Sequence, residues 1–423
     1  MVSAFVLLFF LFVLGVPIAF ALGVAPLIAL SERHIPLLAV GQVAFESLDS
    51  FVLMAIPFFI LAGKLMQAGG VAQRLVELAV AIVGWMRGGL ASAAVVTSMF
   101  FATMSGSSSA TAAAVGSALI PEMERGRYPR PFAAASIASS AELGAIIPPS
   151  VPMIVYAVVA GVSIKDLFLA GILPGLLIGI SLIALIYGVA RSRDYGVVTS
   201  YPFREWLPRF GRELRRSSLS ILIPVIVLGG IYGGFFTPTE AAVVSVLYAL
   251  FLGLIVYRTI RWRDLLGIFA DAGITSAIVL IIVGFASVFA YTLSIHQIPQ
   301  MLAKYIVSIS DSPFVFLLAV NVLLFTVGMF IETLAAVIIV TPILAPIAVS
   351  FGIDPIHFGI VVIVNLAIGM VTPPVGVNLF IVSQIANIEI ERLVRPLALF
   401  MAVLIVDLML ISYIPLFVKF FVN

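Results

Sequence analysis

Two pairs of short polar stretches interrupt an otherwise apolar sequence, and they occur in the same order in both halves. The first half contains GSSSAT at 106–111 and then GAIIPPS at 144–150. The second half contains GMFIET at 328–333 and then GMVTPPV at 369–375. In each half a threonine follows the first glycine by five positions and two prolines follow the second glycine by four. The shared order and spacing indicate that the two halves are repeats of one another.

The sequence around these stretches has the composition of a membrane protein. Of its 423 residues, 63% are hydrophobic and 10% are charged, whereas soluble domains carry about 25% charged residues. Apolar runs of the ~20 residues needed to cross a bilayer recur along the chain, which predicts one integral membrane unit. The first run is too long for a signal-peptide core, so we interpret it as a retained transmembrane helix. The absence of cysteine excludes disulfides and thiolate metal sites.

The charge pattern predicts the membrane topology. Basic residues cluster in short gaps, such as Arg125 to Arg130 and the stretch from Arg191 to Arg216, and these gaps are expected on the cytoplasmic side. Two further helices are expected within residues 3–68. The other predicted spans are 131–161, 166–190, 217–236, 239–258, 273–294, 355–386 and 394–418.

Two apolar segments do not fit single crossings. Segment 88–123 has basic residues at both ends, which predicts a re-entrant hairpin from the cytoplasm with its tip near Gly106 to Ser109. Segment 313–350 is expected to enter from the opposite side, with its tip near Gly328 to Glu332. Non-helical backbone at membrane depth is tolerated only where it is packed in protein or lines a cavity.

The predicted fold is an all-α integral membrane bundle built from an inverted repeat with two re-entrant hairpins and two Pro-Pro-broken helices. Such repeats with broken helices are typical of secondary transporters, whose sites lie near the midplane. The first repeat spans 1–216, with hairpin 88–123, broken helix 131–161 and a basic surface helix at 204–216. The second repeat spans 217–423, with hairpin 313–350 and broken helix 355–386.

The polar stretches predict binding sites for hard cations. Each Pro-Pro pair frees backbone carbonyls, which are costly in an apolar environment unless they are used. Na⁺ takes carbonyl and hydroxyl oxygens, so the tip at Gly106 to Thr111 and the break at Ile147 to Ser150 predict one sodium site. The second tip and break predict another. Half-helix N-termini at the tips favour an anionic substrate between the two sites, near Ser150, Thr372 and Asn378.

Structural interpretations of the same residues stay open. Serine and glycine are common where membrane helices pack closely, and Pro-Pro is often only a kink, but helix packing gives no reason for all four elements to recur in order. Glu142 and Glu332 lie in apolar stretches, where an ionisable residue indicates either a functional site or a hydrogen-bonded structural carboxyl.

Other function classes fit the sequence less well. An intramembrane serine hydrolase needs a base near the serine, but His34, His296 and His357 are predicted in or beside loops. An ATP-driven pump lacks its G-x-x-x-x-G-K-[ST] loop, and opposed hairpins suit alternating access better than an open channel. We therefore predict a transporter and not an enzyme. The basic segment 204–216 is expected on the membrane surface, with no nucleic acid partner.

The chain resembles the large membrane subunit of tripartite ATP-independent periplasmic (TRAP) transporters, the DctM type. The resemblance lies in the stretches 106–157, 328–348 and 369–380 and extends over nearly the whole chain. It implies a sodium-driven, elevator-type importer of carboxylate-bearing solutes in a bacterial or archaeal inner membrane, with Na⁺ as coupling ion and no other cofactor. The implied partners are a separate small membrane subunit and a periplasmic substrate-binding protein. The alternative is a stand-alone sodium/dicarboxylate symporter.

The resemblance also implies where the ion sites lie. More distantly, the chain is similar to divalent anion/sodium symporters, whose Ser-Asn-Thr tips are replaced here by Ser-Ser-Ser and Ile-Glu-Thr. The resulting sodium-binding candidates are Gly106, Ser107, Ser108, Ser109, Thr111, Pro148, Pro149 and Ser150 for the first site, and Gly328, Glu332, Thr333, Thr372, Pro373, Pro374 and Gly376 for the second.

Overall fold

The computed structural model describes residues 2–196 and 203–422, and these residues form helices without any strand. The first half is a series of short helices ending in one long helix. Its bounds are α1 (Val2–Val13), α2 (Ile18–Glu32), α3 (Leu37–Leu48), α4 (Ala55–Ala68), α5 (Val71–Val83), α6 (Gly89–Ser105), α7 (Ser108–Arg125), α8 (Arg130–Ala141), α9 (Leu143–Ile146), α10 (Val151–Ala160) and α11 (Ile164–Arg193).

The second half repeats this series with longer helices at its start. A π-helical turn, Phe251–Val256, extends its second helix. The bounds are α12 (Phe203–Tyr232), α13 (Pro238–Leu250), α14 (Trp262–Ile295), α15 (Ile298–Ile309), α16 (Pro313–Phe330), α17 (Thr333–Ser350), α18 (Pro355–Gly369), α19 (Val377–Ala386), α20 (Ile390–Tyr413) and α21 (Leu416–Lys419).

The helices have the length and composition of membrane spans. In the described residues, seven are long and apolar enough to cross a bilayer, and up to nine if each bent pair counts as one span. The pair α4–α5 bends by 71°, and α10 bends by 41° from the helix before the first Pro-Pro pair. Both α16 and α17 are long and apolar enough to cross a bilayer separately, so helix length does not identify 313–350 as re-entrant.

The chain reverses direction at two hairpin tips, and local capping explains each reversal. At the first tip Gly106 has φ +59°, a left-handed conformation that glycine adopts without steric cost. The Ser107 side chain then accepts a hydrogen bond from the Ala110 amide and starts α7. At the second tip Glu332 starts α17, because its carboxylate accepts from the Leu334 amide at 3.1 Å. The two tips thus begin a new helix with different caps.

These caps correct the predicted alignment of the repeats. The number of residues from the capping Ser107 to Pro148 is the same as the number from the capping Glu332 to Pro373. This alignment pairs Ser108 with Thr333 and not Thr111 with Thr333. The prediction that Gly328 belongs to the tip is wrong, because Gly328 stays helical within α16. Its small size serves packing instead, since a Cβ there would lie 3.0 Å from the Gly369 Cα.

Both broken helices are interrupted at their Pro-Pro pairs, as the sequence predicts. The first break separates α9 from α10 and the second separates α18 from α19. Both Pro-Pro bonds are cis. Prolines lack the N–H that would continue the helical ladder, so the break follows from the sequence itself.

Other predicted boundaries need correction. The surface helix at 204–216 is not separate, because α12 continues through Arg216 and Ser217 without a break. The Ser217 hydroxyl donates to the Arg74 carbonyl at 2.9 Å and joins this part of α12 to α5. Residues 3–68 form four helices, not two. Helix α14 begins at Trp262 instead of near residue 273, and α15 was not predicted.

We divide the helices into two groups, with α1–α5 and α12–α15 as the frame and α6–α11 and α16–α21 as the block. The helices α5 and α15 lie at the boundary, since α5 also packs on α6 and α15 on α17. Within the frame, the Lys64 ammonium donates to the Asp271 carbonyl at 3.0 Å and joins α4 to α14. Within the block, the Tyr156 hydroxyl donates to the Pro355 carbonyl at 2.7 Å and joins the two repeats. The hairpins and broken helices of both repeats therefore form one packed unit.

Candidate functional site

The first hairpin tip packs directly against the first Pro-Pro break. The Val151 amide donates to the Gly106 carbonyl at 3.2 Å. A Cβ on Gly106 would lie 2.9 Å from the Pro149 carbonyl oxygen, so glycine is needed for this close approach. Gly144 on α9 contacts the Ser107 backbone, where a Cβ would lie 2.5 Å from its carbonyl oxygen. The predicted neighbours of the first sodium site are thus brought together.

Hydroxyl and carbonyl oxygens concentrate at this junction. The Thr111 hydroxyl is buried, donates to the Ser107 carbonyl at 2.8 Å and lies 3.1 Å from the Ser105 hydroxyl. The Ser150 hydroxyl donates to the Ala145 carbonyl at 2.6 Å. The Ser109 hydroxyl lies 3.1 Å from the Ser107 hydroxyl. Ser105 was not among the predicted site residues.

The second tip meets the second break in the same way. The Gly376 amide donates to the Met329 carbonyl at 3.1 Å, as Val151 does to Gly106 in the first half. Gly369 packs on Gly328 so closely that a Cβ would lie 2.5 Å from the Gly328 Cα. The Thr372 hydroxyl donates back to the Ile368 carbonyl at 2.9 Å. The predicted second-site elements also lie together.

Met370 joins the two tips. Its thioether sulfur accepts from the Thr333 hydroxyl at 2.8 Å and from the Ser108 hydroxyl at 3.5 Å. Ser108 and Thr333 are the first helical residues of α7 and α17, so the two half-helices start on either side of one buried side chain. Nothing in the local sequence signals this role, because methionine is common in apolar helices.

A cavity of about 550 Å³ lies between the two tips and the frame. From the block it is lined by Ser105 to Ala110 and Glu332 to Leu334, and from the frame by α4 and α14. The frame supplies the half-buried Lys64 and the exposed Gln67. Ionisable residues in apolar helices usually serve a functional site. The sequence reasoning missed Lys64, although one lysine within the apolar run of α4 is a signal that could have identified it.

The three predicted substrate residues do not border this cavity. Ser150 and Asn378 are fully buried and Thr372 is 7% exposed, and each has a hydrogen-bond partner inside the block. Ser150 and Thr372 bond to carbonyls one turn away, and Asn378 bonds to Glu142. Of the sodium candidates, only Gly106 to Ser109, Glu332 and Thr333 line the cavity, while Ser150, Thr372 and Asn378 lie behind the tips.

Known proteins are similar to this chain over nearly its whole length. Residues 5–417 match the model of the tripartite ATP-independent periplasmic transporter, DctM component. The chain is 44% identical over 371 residues to the C4-dicarboxylate TRAP transporter large permease protein DctM of Pseudomonas aeruginosa, covering 88% of this chain and 86% of that protein. It is 40% identical to the sialic acid TRAP transporter large permease protein SiaM of Vibrio cholerae, covering 95% and 94%.

A further relative is longer than this chain. The isethionate TRAP transporter permease protein DctMQ of Oleidesulfovibrio alaskensis is 44% identical over 411 residues, which cover 97% of this chain and 64% of that protein. Among solved structures, the YdaH transporter of Alcanivorax borkumensis matches with a TM-score of 0.63, covering 88% of this chain and 86% of that chain. At 15% identity this match supports the fold alone.

Proposed function

Since the chain belongs to the DctM family of tripartite ATP-independent periplasmic transporter components, we propose that it is the large membrane subunit of a sodium-coupled importer of carboxylate-bearing organic solutes. The observation that carries the proposal is the cavity bordered by both hairpin tips and by Lys64. The importer works in a bacterial or archaeal cytoplasmic membrane with a small membrane subunit and a periplasmic binding protein. Relatives named TRAP permeases favour this over a stand-alone sodium/dicarboxylate symporter.

The first sodium site in this proposal is the junction of tip and break in the first half. Carbonyl oxygens of Ser107 and Pro149 and the hydroxyls of Ser105, Thr111 and Ser150 are its available donors. All are neutral oxygens, which suit a hard cation when several converge. Helical packing at Gly144 keeps tip and break close enough to share one ion.

The second sodium site has a different donor set. It combines the Glu332 carboxylate and the Thr333 hydroxyl with the carbonyls of the break at Thr372 to Gly376. A carboxylate provides negative charge that partly neutralises a bound cation. We therefore propose one neutral and one charged site, both beside the same cavity.

The cavity itself is proposed to hold the substrate. Its volume of about 550 Å³ lies in the range of small-molecule sites, ~300–1,000 Å³. The N-termini of α7 and α17 both open onto it, and helix N-termini carry partial positive charge that attracts carboxylates. Lys64 adds a full positive charge from the frame. We therefore assign substrate binding to the two helix N-termini and Lys64. The predicted substrate residues Ser150, Thr372 and Asn378 do not contact the cavity.

The packing suits an elevator movement of the block against the frame. Polar contacts described above lie within one group, such as Lys64 with Asp271 in the frame and Tyr156 with Pro355 in the block. We call the contact surface between frame and block the seam. There Gly63 of α4 approaches the backbone of Ser105, and a Cβ on Gly63 would lie 3.2 Å from the Ser105 Cα. Small and apolar side chains at a seam allow it to slide without breaking strong hydrogen bonds.

Uptake into proteoliposomes tests the whole proposal. The chain is reconstituted with its small subunit, and binding proteins loaded with labelled C4-dicarboxylate, sialic acid or, as a sulfonate for contrast, isethionate are added outside. We expect uptake of one of the two carboxylates, which requires both an inward Na⁺ gradient and the binding protein, and uptake of isethionate alone would contradict the proposed solute class. Uptake without the binding protein would support the stand-alone symporter, and uptake without Na⁺ would refute the coupling.

Lys64 can be tested separately in the same assay. Lys64→Gln removes the cavity's lysine charge, and we expect a rise of about tenfold in the KM for solute, as the loss of a charge-assisted contact of ~1.5 kcal/mol gives. Lys165→Gln, which neutralises an exposed lysine at the start of α11, is the matched control. An unchanged KM in Lys64→Gln would place the substrate elsewhere.

A disulfide across the seam tests the movement. The chain has no native cysteine, so Gly63→Cys with Ser105→Cys introduces the only pair. Crosslinking is expected to depend on Na⁺ or solute and to stop uptake until a reductant is added. The reduced double variant is the reference, because Ser105→Cys also changes a hydroxyl of the proposed first sodium site. Undiminished uptake by the crosslinked protein would contradict the elevator movement.

A further inference from the structure

A buried carboxyl–amide pair joins the broken helices of the two repeats. Glu142 lies between α8 and α9, and Asn378 lies in the first turn of α19. Both side chains are fully buried. The Asn378 side-chain amide donates to Glu142 Oε1 at 2.6 Å. The contact thus connects the first half of the block to the second, away from the cavity lining.

The other two polar atoms of the pair lack partners. Glu142 Oε2 and Asn378 Oδ1 are buried and, among the described residues, accept no hydrogen bond. Leaving a buried polar atom unpaired costs about 1–3 kcal/mol, so such atoms need an explanation. Two unpaired atoms on two groups that already contact each other point to one missing bond.

The surroundings offer no cation for an ionised Glu142. The ion pairs of the described residues involve other carboxylates. The helices α6, α7, α10, α11 and α18 contact α9, and their buried polar side chains are hydroxyls, the Asn365 amide and His357, whose Nε2 contacts the Ile411 carbonyl. The helix α20, which packs on α8, adds the carboxyl Asp407, whose Oδ1 accepts from the Ser181 hydroxyl. An isolated buried carboxylate is very unfavourable without a paired charge.

A protonated carboxyl would satisfy both unpaired atoms at once. A carboxylic acid and a primary amide can form two parallel hydrogen bonds, from amide N–H to the carbonyl oxygen and from acid O–H to the amide oxygen. The first of these bonds is present at 2.6 Å. The second would run from Oε2 to Oδ1, the two atoms that lack partners.

We propose that Glu142 is a proton-binding site, in which a proton on Oε2 is donated to Asn378 Oδ1 and closes a two-bond clamp between the broken helices. The pair occurs once, because the repeat alignment places Ala367 opposite Glu142 and Met153 opposite Asn378. The clamp is therefore found at one junction only and is separate from the two proposed sodium sites. The proton stays bound throughout transport, so the clamp holds the two halves of the block together as a unit.

Glu142→Gln separates this proposal from an ionised carboxylate. Glutamine keeps both bonds, because its amide oxygen accepts from Asn378 and its N–H donates to Oδ1. Uptake rate and Na⁺ activation are expected within about twofold of the wild type. Asn378→Leu removes both bonds, and we expect a lower melting temperature and uptake reduced by about tenfold, as the loss of two buried hydrogen bonds implies.

Infrared spectroscopy of the purified protein gives a readout that does not depend on transport. The wild type should show the carbonyl stretch of a buried protonated carboxyl, and Glu142→Gln should lack it. Absence of this band, or a folded or unfolded Glu142→Gln protein without uptake, would overturn the proposal. Failure of sodium-coupled uptake in the wild type would refute the proposed function and leave the infrared result valid.

Discussion

The two hairpin tips have the same architecture but different chemistry. Each tip receives one backbone hydrogen bond from its own break, at 3.2 Å in the first half and 3.1 Å in the second. The first tip then offers hydroxyls, Ser105 and Thr111, whereas the second offers the Glu332 carboxylate. The backbone arrangement is thus repeated while the oxygen donors are not. We infer that the geometry of a repeat is constrained more strongly than the charge of its site.

The glycines behind the tips show the same division. Gly144 makes room for the Ser107 carbonyl and the Thr111 hydroxyl of the first tip, and Gly369 makes room for the backbone of Gly328 in the second hairpin. Both sit four residues before their proline pair. Close approach of backbones therefore recurs in both halves even though the atoms approached differ.

The largest effect is expected from filling these spaces. Gly144→Ala or Gly369→Ala would force tip and break apart, at a cost of about 1–3 kcal/mol from overpacking. Because ion ligands come from both elements, uptake should fall by about tenfold or more, since ~1 Å misplacements of functional groups have effects of this size. Gly188→Ala on α11 has open space around it and is the control. Normal uptake by both Gly144→Ala and Gly369→Ala would show that the close approach of tip and break is not required.

A smaller effect is expected from removing one hydroxyl of the proposed first sodium site. Thr111→Val keeps the shape of the side chain but removes a hydroxyl at the first tip. We expect the Na⁺ concentration for half-maximal uptake to rise about tenfold, which corresponds to ~1.4 kcal/mol. Ser117→Ala changes an exposed hydroxyl on the same helix and should have no effect. Equal Na⁺ dependence in both variants would remove Thr111 from the site.

The second tip is expected to respond to charge instead. Glu332→Gln keeps an acceptor for the Leu334 amide but removes the negative charge. Na⁺ activation should weaken about fivefold, the size of a ~1 kcal/mol loss. The matched control is Glu240→Gln, a capping glutamate at the start of α13 in the frame. If Glu332→Gln activates at the wild-type Na⁺ concentration, the two tips do not differ in the proposed way.

The smallest effect concerns the starts of the two broken helices. Asp354 caps α18, whereas Pro129 precedes α8 and makes no side-chain cap. Partial burial acts to raise the pKa of Asp354, but hydrogen bonds from Lys419 and from the His357 and Ile356 amides outweigh it and leave the pKa below its ordinary value. The Lys419 ammonium lies 2.9 Å from the carboxylate.

This lowered pKa sets the sign of a pH effect. The stabilisation is present above the ordinary Asp pKa of ~3.9 and is lost as pH falls through the lower value of the folded state. Asp354→Asn should therefore reduce stability at neutral pH by about 0.5–1 kcal/mol and match the wild type in strong acid. Thermal melts across pH measure this, with exposed Asp311→Asn as control. A difference that grows in acid would contradict the assignment.

Sequence reasoning located most elements that local chemistry controls. Glycine and proline act on their own backbone, so the first tip at Gly106 and the breaks at both proline pairs are found where the sequence predicts them. The prediction from glycine places the second tip too early in the sequence, because the Glu332 cap and not a glycine marks that turn. The predicted surface helix 204–216 was wrong because charge pattern alone does not end a helix, and α12 continues through it.

The sequence by itself determined that this is a helical membrane protein with two polar tips and two broken helices, because composition and backbone-breaking residues act locally. Only the tertiary structure decided which side chains meet. Glu142 and Asn378 are distant in sequence and pair only because α8 and α19 pack together. Lys64 joins the cavity only because α4 faces the tips. Such contacts depend on the packing of whole helices, and no short stretch of sequence encodes that packing.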